Sequence, residues 1–168
     1  VKERKSRSSV DPEIDPIEFA RTIALNALSA RPKSRRELEV QLARRGVDEE
    51  SAKLVLDRLA TVGLIDDLEF ARAWSRSRQG TKGLSRRVLA QELNAKGIDR
   101  SIAEGVLAEI SPVDEYEAAL AVALKKARSV SSLEPNIQVR RIFDLLARKG
   151  FSSSISAQII RQVLSDQK

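Results

Sequence analysis

Asp66, Asp67 and Glu69 set three carboxylates within four positions, the grouping in this chain that comes nearest to a magnesium site. Carboxylate oxygens are the ligands a hard cation takes. All three lie where a helix is expected to begin, and acids there cap exposed N–H groups and favour the helix dipole. So local a spacing builds a catalytic metal centre only with a further, distant ligand. A magnesium-dependent nuclease therefore rests on this cluster alone, and the cluster reads better as a helix start. The rest of the catalytic repertoire is thin. The chain has no cysteine and no histidine. That removes zinc sites built on thiolate or imidazole, cysteine nucleophiles, and histidine as a general base. The glycine-rich phosphate loop ending in Gly-Lys-Ser/Thr is also absent. No cofactor is expected.

Arginine is the residue whose placement asks for a function. Lys and Arg total 30 against 24 Asp and Glu, a net charge of +6. Such a surplus suits a polyanion or an acidic protein surface. Between Phe70 and Gln91 there are six basic residues (Arg72, Arg76, Arg78, Lys82, Arg86 and Arg87) and no acidic one. Arg72 and Arg76 are spaced i, i+4 and share a helix face. With Lys82, Arg86 and Arg87 across a glycine-flanked link, they are expected to converge on one patch. Three arginine pairs, Arg35-Arg36, Arg86-Arg87 and Arg140-Arg141, fall in or beside the first turn of expected helices. Positive charge there opposes the dipole by a few tenths of a kcal/mol. Exposed N–H groups beside two guanidinium groups make an anion site. By contrast, Arg45, Lys96 and Lys149 precede glycines at helix C-termini, where the dipole alone explains them.

The elements that carry these residues are repeated. Arg44-Arg45-Gly46-Val47-Asp48 returns as Ala95-Lys96-Gly97-Ile98-Asp99, 51 residues on, and Arg148-Lys149-Gly150-Phe151 follows after a further 53. Glu18-Phe19-Ala20-Arg21 recurs as Glu69-Phe70-Ala71-Arg72. A fixed period of this size marks stacked copies of one supersecondary unit, and such arrays present surface to a partner. Each copy reads as three helices. Asp15 with Pro16, Ser34 with Glu37, and Asp48 open the first three. Ala52, Val55, Leu56 and Leu59 form one apolar face, matched by Ala103, Val106, Leu107 and Ile110. In the second copy a helix runs from Asp66 to about Gln79, with Gly80-Thr81-Lys82-Gly83 expected as a flexible connection. In the third, Ser111-Pro112 opens a helix to about Arg128. A link from Ser129 to Pro135 follows, and Asn136 is expected to cap the next helix.

No stretch alternates as a strand does. The expected fold is all-α: three tandem three-helix, helix-turn-helix-like repeats in an elongated, curved array. The expected divisions are a tail over 1–15, then repeats over 16–65, 66–110 and 111–168. Lone units of about 50 residues are marginal, so each should lean on a neighbour or a partner. Trp74 aligns with Ile23 and Val122 and is expected in the core. Arg76 stands where the other copies have Leu25 and Leu124, so that face is expected to meet something different. No apolar run approaches the ~20 residues a membrane span needs, and the lack of cysteine fits the cytoplasm.

These residues carry a resemblance. Gly63-Leu64-Ile65-Asp66-Asp67-Leu68-Glu69-Phe70-Ala71-Arg72-Ala73-Trp74, followed by Arg76-Ser77-Arg78, resembles the signature of the RecX family. Leu84-Ser85-Arg86-Arg87-Val88-Leu89 through Lys96-Gly97-Ile98 resembles that family's next block. Ser34-Arg35-Arg36-Glu37-Leu38 and Leu146-Ala147-Arg148-Lys149-Gly150-Phe151-Ser152 fit as well, so the likeness runs from about Pro16 to Leu164. The resemblance implies a regulator of the RecA recombinase. Such a protein binds RecA and its filament on single-stranded DNA, inhibits ATP hydrolysis, coprotease activity and strand exchange, and has no catalysis of its own. A monomer is expected. The rival is a sequence-independent DNA-binding protein, since three-helix units with basic helix starts also resemble helix-turn-helix modules. Six aromatic residues in all (four Phe, one Trp, one Tyr) argue against base stacking as its main contact. The residues expected at the partner surface are Arg72, Arg76, Arg78, Lys82, Arg86 and Arg87, then Arg35, Arg36, Arg140 and Arg141.

Overall fold

The computed structural model describes residues 15–165. The basic residues of the expected tail, Lys2 to Arg7, lie outside that range. Among the described residues the chain is helical throughout, with no strand. Three successive triplets appear: α1 (Pro16–Ala30), α2 (Arg35–Arg44) and α3 (Glu49–Thr61); α4 (Asp67–Lys82), α5 (Arg86–Ala95) and α6 (Arg100–Ala108); α7 (Pro112–Val130), α8 (Pro135–Arg148) and α9 (Ser153–Ser165). They form two compact units, one ending at Ile65 and one beginning at Asp66.

Local chemistry sets the helix ends. Asp15 accepts from the Ile17 N–H at 2.9 Å, with Pro16 at the first helical position. Ser34 and Glu37 form a reciprocal capping box, as do Ser111 and Asp114. Asp48, Asp66 and Asp99 cap α3, α4 and α6 through their side chains.

Each triplet has its own core. In the first, Leu38, Leu42, Val55, Leu56 and Leu59 close on Ala20, Ala24 and Ala27. In the third, Ile142, Leu146, Ile159 and Val163 close on Ala119, Ala123 and Ala127. The alanines fall at i, i+4 and close to i+7, one face of a helix, and their small side chains let the lead helix lie close. The second triplet differs. The buried face of α4 carries Phe70, Ala71 and Ser75.

Two expected boundaries are corrected. Gly80-Thr81-Lys82 is not a flexible link but the last turn of α4. Thr81 Oγ1 donates to the Ser77 carbonyl at 2.7 Å, and Gly83, at φ +57°, donates its N–H to the Gln79 carbonyl at 2.9 Å. A glycine inside a helix costs only about 1 kcal/mol, so Gly80 does not break it, whereas left-handed Gly83 does. Asn136 is likewise no cap. Pro135 takes the first position of α8, Glu134 precedes it without a side-chain cap, and Asn136 is already helical. Because α8 starts two residues early, Arg140 and Arg141 sit in its second turn, past the first-turn N–H groups beside which Arg35-Arg36 and Arg86-Arg87 stand.

Within the second unit, the short connection after α4 is a packed strap. Gly83, Leu84 and Ser85 are all buried. A Cβ on Gly83 would stand 2.3 Å from Val122 Cγ2 of α7, and one on Gly150 would stand 2.4 Å from Ser85 Oγ. The Ser85 N–H donates to the Lys149 carbonyl at 3.1 Å, and Lys149 Nζ donates to the Lys82 carbonyl at 2.6 Å. The second and third triplets are thereby locked together.

Candidate functional site

Helix geometry distributes the central arginines before any partner is considered. Successive residues advance by about 100° around the axis, so Arg76 and Arg78 face nearly opposite ways. Arg72 and Arg76 share a hollow of about 230 Å³ between α4, α6 and the start of α7. Arg86 and Arg87 border a different hollow beside Glu104, Leu107 and Ala108 of α6. Arg78 turns to a third place, against Trp74 and Glu92. The single convergent patch read from spacing is thus divided around the triplet.

Several of these side chains are held by carboxylates distant in sequence. Arg72 donates from Nε and Nη2 to Glu109 at 3.0 and 2.8 Å, and from Nη1 to Glu69 at 2.9 Å. Those hydrogen bonds, Glu109 foremost, raise its guanidinium pKa above the usual arginine value. Glu109 is lowered in return by Arg72, with the charge of Arg76 adding to the effect. Arg86 donates from Nε to Glu115 Oε2 at 2.8 Å, and its backbone N–H to Oε1 at 3.0 Å. In the first unit Arg35 reaches Asp57 at 2.7 Å and Glu39 at 3.3 Å, while Arg36 reaches Glu39 at 3.2 Å. In α8, Arg140 stands 4.0 Å from Asp144.

Four cations of the expected set are exposed and have no carboxylate within ion-pair distance among the described residues: Arg76, Lys82, Arg87 and Arg141. Arg87 makes one long hydrogen bond, 3.4 Å, to the Gly150 carbonyl. These four carry the uncompensated positive charge of the expected set.

Trp74 is half core and half polar device. It packs on the second core and stacks on Phe70, with ring centroids 5.9 Å apart. Its Nε1 donates to Glu92 at 2.8 Å. Arg78 and Lys96 lie over the ring at 4.9 and 4.4 Å from its centroid. Burial alone would raise the Glu92 carboxyl; hydrogen bonds from Arg78 and Trp74 outweigh it and leave the pKa below the ordinary glutamate value.

Asp66, Asp67 and Glu69 do not close on a metal. Asp66 caps α4 at the Glu69 N–H, 2.9 Å away, and Glu69 binds Arg72. Among the described residues no cluster of three such groups is arranged to hold an ion. Nor, among those residues, is any helix long and apolar enough to cross a membrane. What the surface offers chemically is charge and hydrogen-bond donors. A wider groove of about 760 Å³ runs along α2 and α3 in the first unit, lined by Val40, Ala43, Val47 and Ala52 among others. Glu92, Glu109 and Glu115, which decide which arginines are occupied, were not legible in the sequence, because nothing local ties them to their partners.

The comparisons with known proteins agree with one another. Three family domains match in order: the RecX first three-helix domain over residues 20–59, the second over 66–107 and the third over 114–164. A protein of Streptomyces coelicolor named Regulatory protein RecX is 38% identical over 157 residues, covering 94% of this chain and 84% of the relative. One of Mycobacterium leprae with the same name is 40% identical over 155 residues, covering 92% and 91%. The crystal structure of RecX from Lactobacillus salivarius superposes with a TM-score of 0.77 at 29% identity, covering 89% of this chain and 97% of that one. A second crystal structure of a regulatory protein RecX gives a TM-score of 0.74 at 27% identity, covering 86% and 71%.

Proposed function

The chain belongs to the RecX family, and from that premise we propose that it binds RecA and the RecA filament on single-stranded DNA and restrains the recombinase. The restrained activities are ATP hydrolysis, coprotease activity and strand exchange, so the protein modulates recombination and repair. It works by contact, as a cytoplasmic monomer, with no cofactor and no chemistry of its own. The observation that carries this reading is the ordered succession of three matching domains between residues 20 and 164, shared with relatives named as regulatory proteins.

Within the partner surface, Arg76, Lys82, Arg87 and Arg141 supply the free charge. Arg72, Arg78, Arg86 and Arg140 of the second unit, and Arg35 and Arg36 of the first, add guanidinium groups oriented by the carboxylates that hold them. Charge of this kind speeds encounter with an acidic surface and aligns it.

The test is RecA ATPase activity on single-stranded DNA, with the protein added before or after filament assembly. Inhibition is expected in both orders, and stronger while filaments are growing. Reversing charge at Arg76 and Arg87 together (Arg76→Glu with Arg87→Glu) should weaken inhibition by about tenfold without unfolding the protein. A double variant that inhibits as well as the parent rejects the surface. Tight binding to naked DNA that falls steeply with salt, beside weak binding to RecA, would favour the DNA-binding rival instead.

A further inference from the structure

The lead helices of the three triplets align residue by residue through their buried alanines. Ala20, Ala71 and Ala119 correspond, and all are fully buried. In that alignment Ser75 stands where the sister helices have Ala24 and Ala123, each fully buried. Arg76 stands where they have Leu25 and Leu124, and Gln79 where they have Leu28 and Ala127. Three apolar positions on one side of α4 have become polar together.

The same three residues line the hollow between α4, α6 and the start of α7, with Val106 and Ile110 as its apolar wall. Ser75 is only 3% exposed. Its Oγ and the Gln79 Nε2 are both buried, and neither has a hydrogen-bond partner among the described residues. Buried polar groups are nearly always satisfied, so two orphans in the wall of one hollow leave room for a group that reaches them from it. The carboxylates nearby are engaged elsewhere: Glu109 holds Arg72, and Asp114 Oδ2 accepts from the N–H and Oγ of Ser111. What remains is a set of donors: a hydroxyl, an amide NH₂, and the exposed guanidinium of Arg76.

We propose that this pocket receives a single acidic side chain, an aspartate or glutamate, from the protein partner. Arg76 supplies the charge at the rim, while Ser75 and Gln79 supply the hydrogen bonds that a carboxylate must find when it leaves water. At about 230 Å³ the space falls short of the ~300 Å³ at which small-molecule sites begin, but it accommodates one side chain. Glu109 and Asp114 in the lining disfavour a nucleic-acid strand, whose successive phosphates would meet them. One carboxylate brings a single charge to set against them, and Arg76 offsets it. The inference rests on the reading of the protein as a RecA-binding regulator, and it names the chemistry by which the central triplet grips.

The test restores the sister sequence. Ser75→Ala, Arg76→Leu and Gln79→Leu each insert the residue that the first triplet carries, so the fold should tolerate them and the melting temperature should hold or rise. Affinity is measured for purified RecA, with and without a single-stranded oligonucleotide, and separately for the oligonucleotide alone. The triple variant should bind RecA about tenfold more weakly, and Ser75→Ala alone roughly threefold more weakly, with no change toward the free oligonucleotide. The single variant settles the matter if the triple one fails to fold. Unchanged RecA affinity would mean that solvent serves these donors, and the proposal falls while the family-based function stands. Loss confined to the free oligonucleotide would assign the pocket to phosphate and overturn it too. If the parent protein does not bind RecA at all, the functional reading itself fails and takes the pocket's partner with it.

Discussion

Arg86 and Glu115 join the second triplet to the third. One carboxylate accepts both the Arg86 side chain, at 2.8 Å, and the Arg86 backbone N–H, at 3.0 Å. That N–H belongs to the first turn of α5, where no helical carbonyl can reach it. A residue that looked from its spacing like an anion receptor therefore already holds an anion, supplied by α7 of the same chain.

Removing that carboxylate leaves two donors without it. Glu115 is mostly buried and Arg86 partly exposed, so solvent screens part of the loss. Glu115→Ala should destabilise the protein by about 1–2 kcal/mol, read as a lower urea midpoint. Arg86→Ala should cost less, because the backbone N–H keeps its acceptor. The double variant should fall short of the sum of the singles. Strict additivity would show that the pair contributes nothing as a pair.

The glycines should separate by what surrounds them. At Gly150, φ is +91° and an added Cβ would meet Ser85 Oγ at 2.4 Å and Val88 Cγ2 at 2.5 Å. Gly46 has a similar left-handed φ of +78° but open space around it. Gly46→Ala should cost about 1 kcal/mol from backbone strain alone, and Gly150→Ala clearly more, because the strap must shift. Gly80→Ala, inside α4 with nothing within 4 Å, should instead stabilise by roughly 0.5–1 kcal/mol. Thermal melts of the three variants check the order, and a Gly150→Ala protein no less stable than Gly46→Ala would refute the packed strap.

Acid should loosen the Trp74 environment. The Glu92 carboxyl is depressed below its ordinary value near 4.5 despite burial, through Arg78 and Trp74. A carboxylate lowered on folding adds stability above its unfolded pKa and loses it as pH falls through the folded one. Asp57 and Glu109, lowered by their lysine and arginine partners, act in the same direction. Stability should therefore decline as pH drops below about 4.5, with a change in emission from the sole tryptophan. Glu92→Gln should be less stable at neutral pH and should flatten that decline. An unchanged pH profile in the Gln variant would remove Glu92 from the account.

Much of this architecture was legible because its causes are local. Capping boxes, proline at a first helical position and apolar periodicity join residues no more than about four apart, so Ser34-Glu37, Ser111-Pro112 and the Leu38–Leu42 pattern could be read directly. Repetition then supplied the triplets without any knowledge of packing. The end of α4 was misjudged because Gly80 and Gly83 look alike in sequence. Only the folded backbone, left-handed at Gly83 and packed against Val122, distinguishes the second one as the stop.

The sequence by itself determined an all-helical chain of three related units, rich in arginine and without the residues of the common catalytic centres, because composition and short-range periodicity suffice for that. Tertiary structure alone decided which arginines remain free. Glu109 lies 37 residues from Arg72 and Glu115 lies 29 from Arg86, distances over which sequence carries no pairing information until packed helices bring the two charges within hydrogen-bond reach. The same packing placed Ser75 and Gln79 in the wall of a hollow, with Ser75 Oγ and Gln79 Nε2 buried.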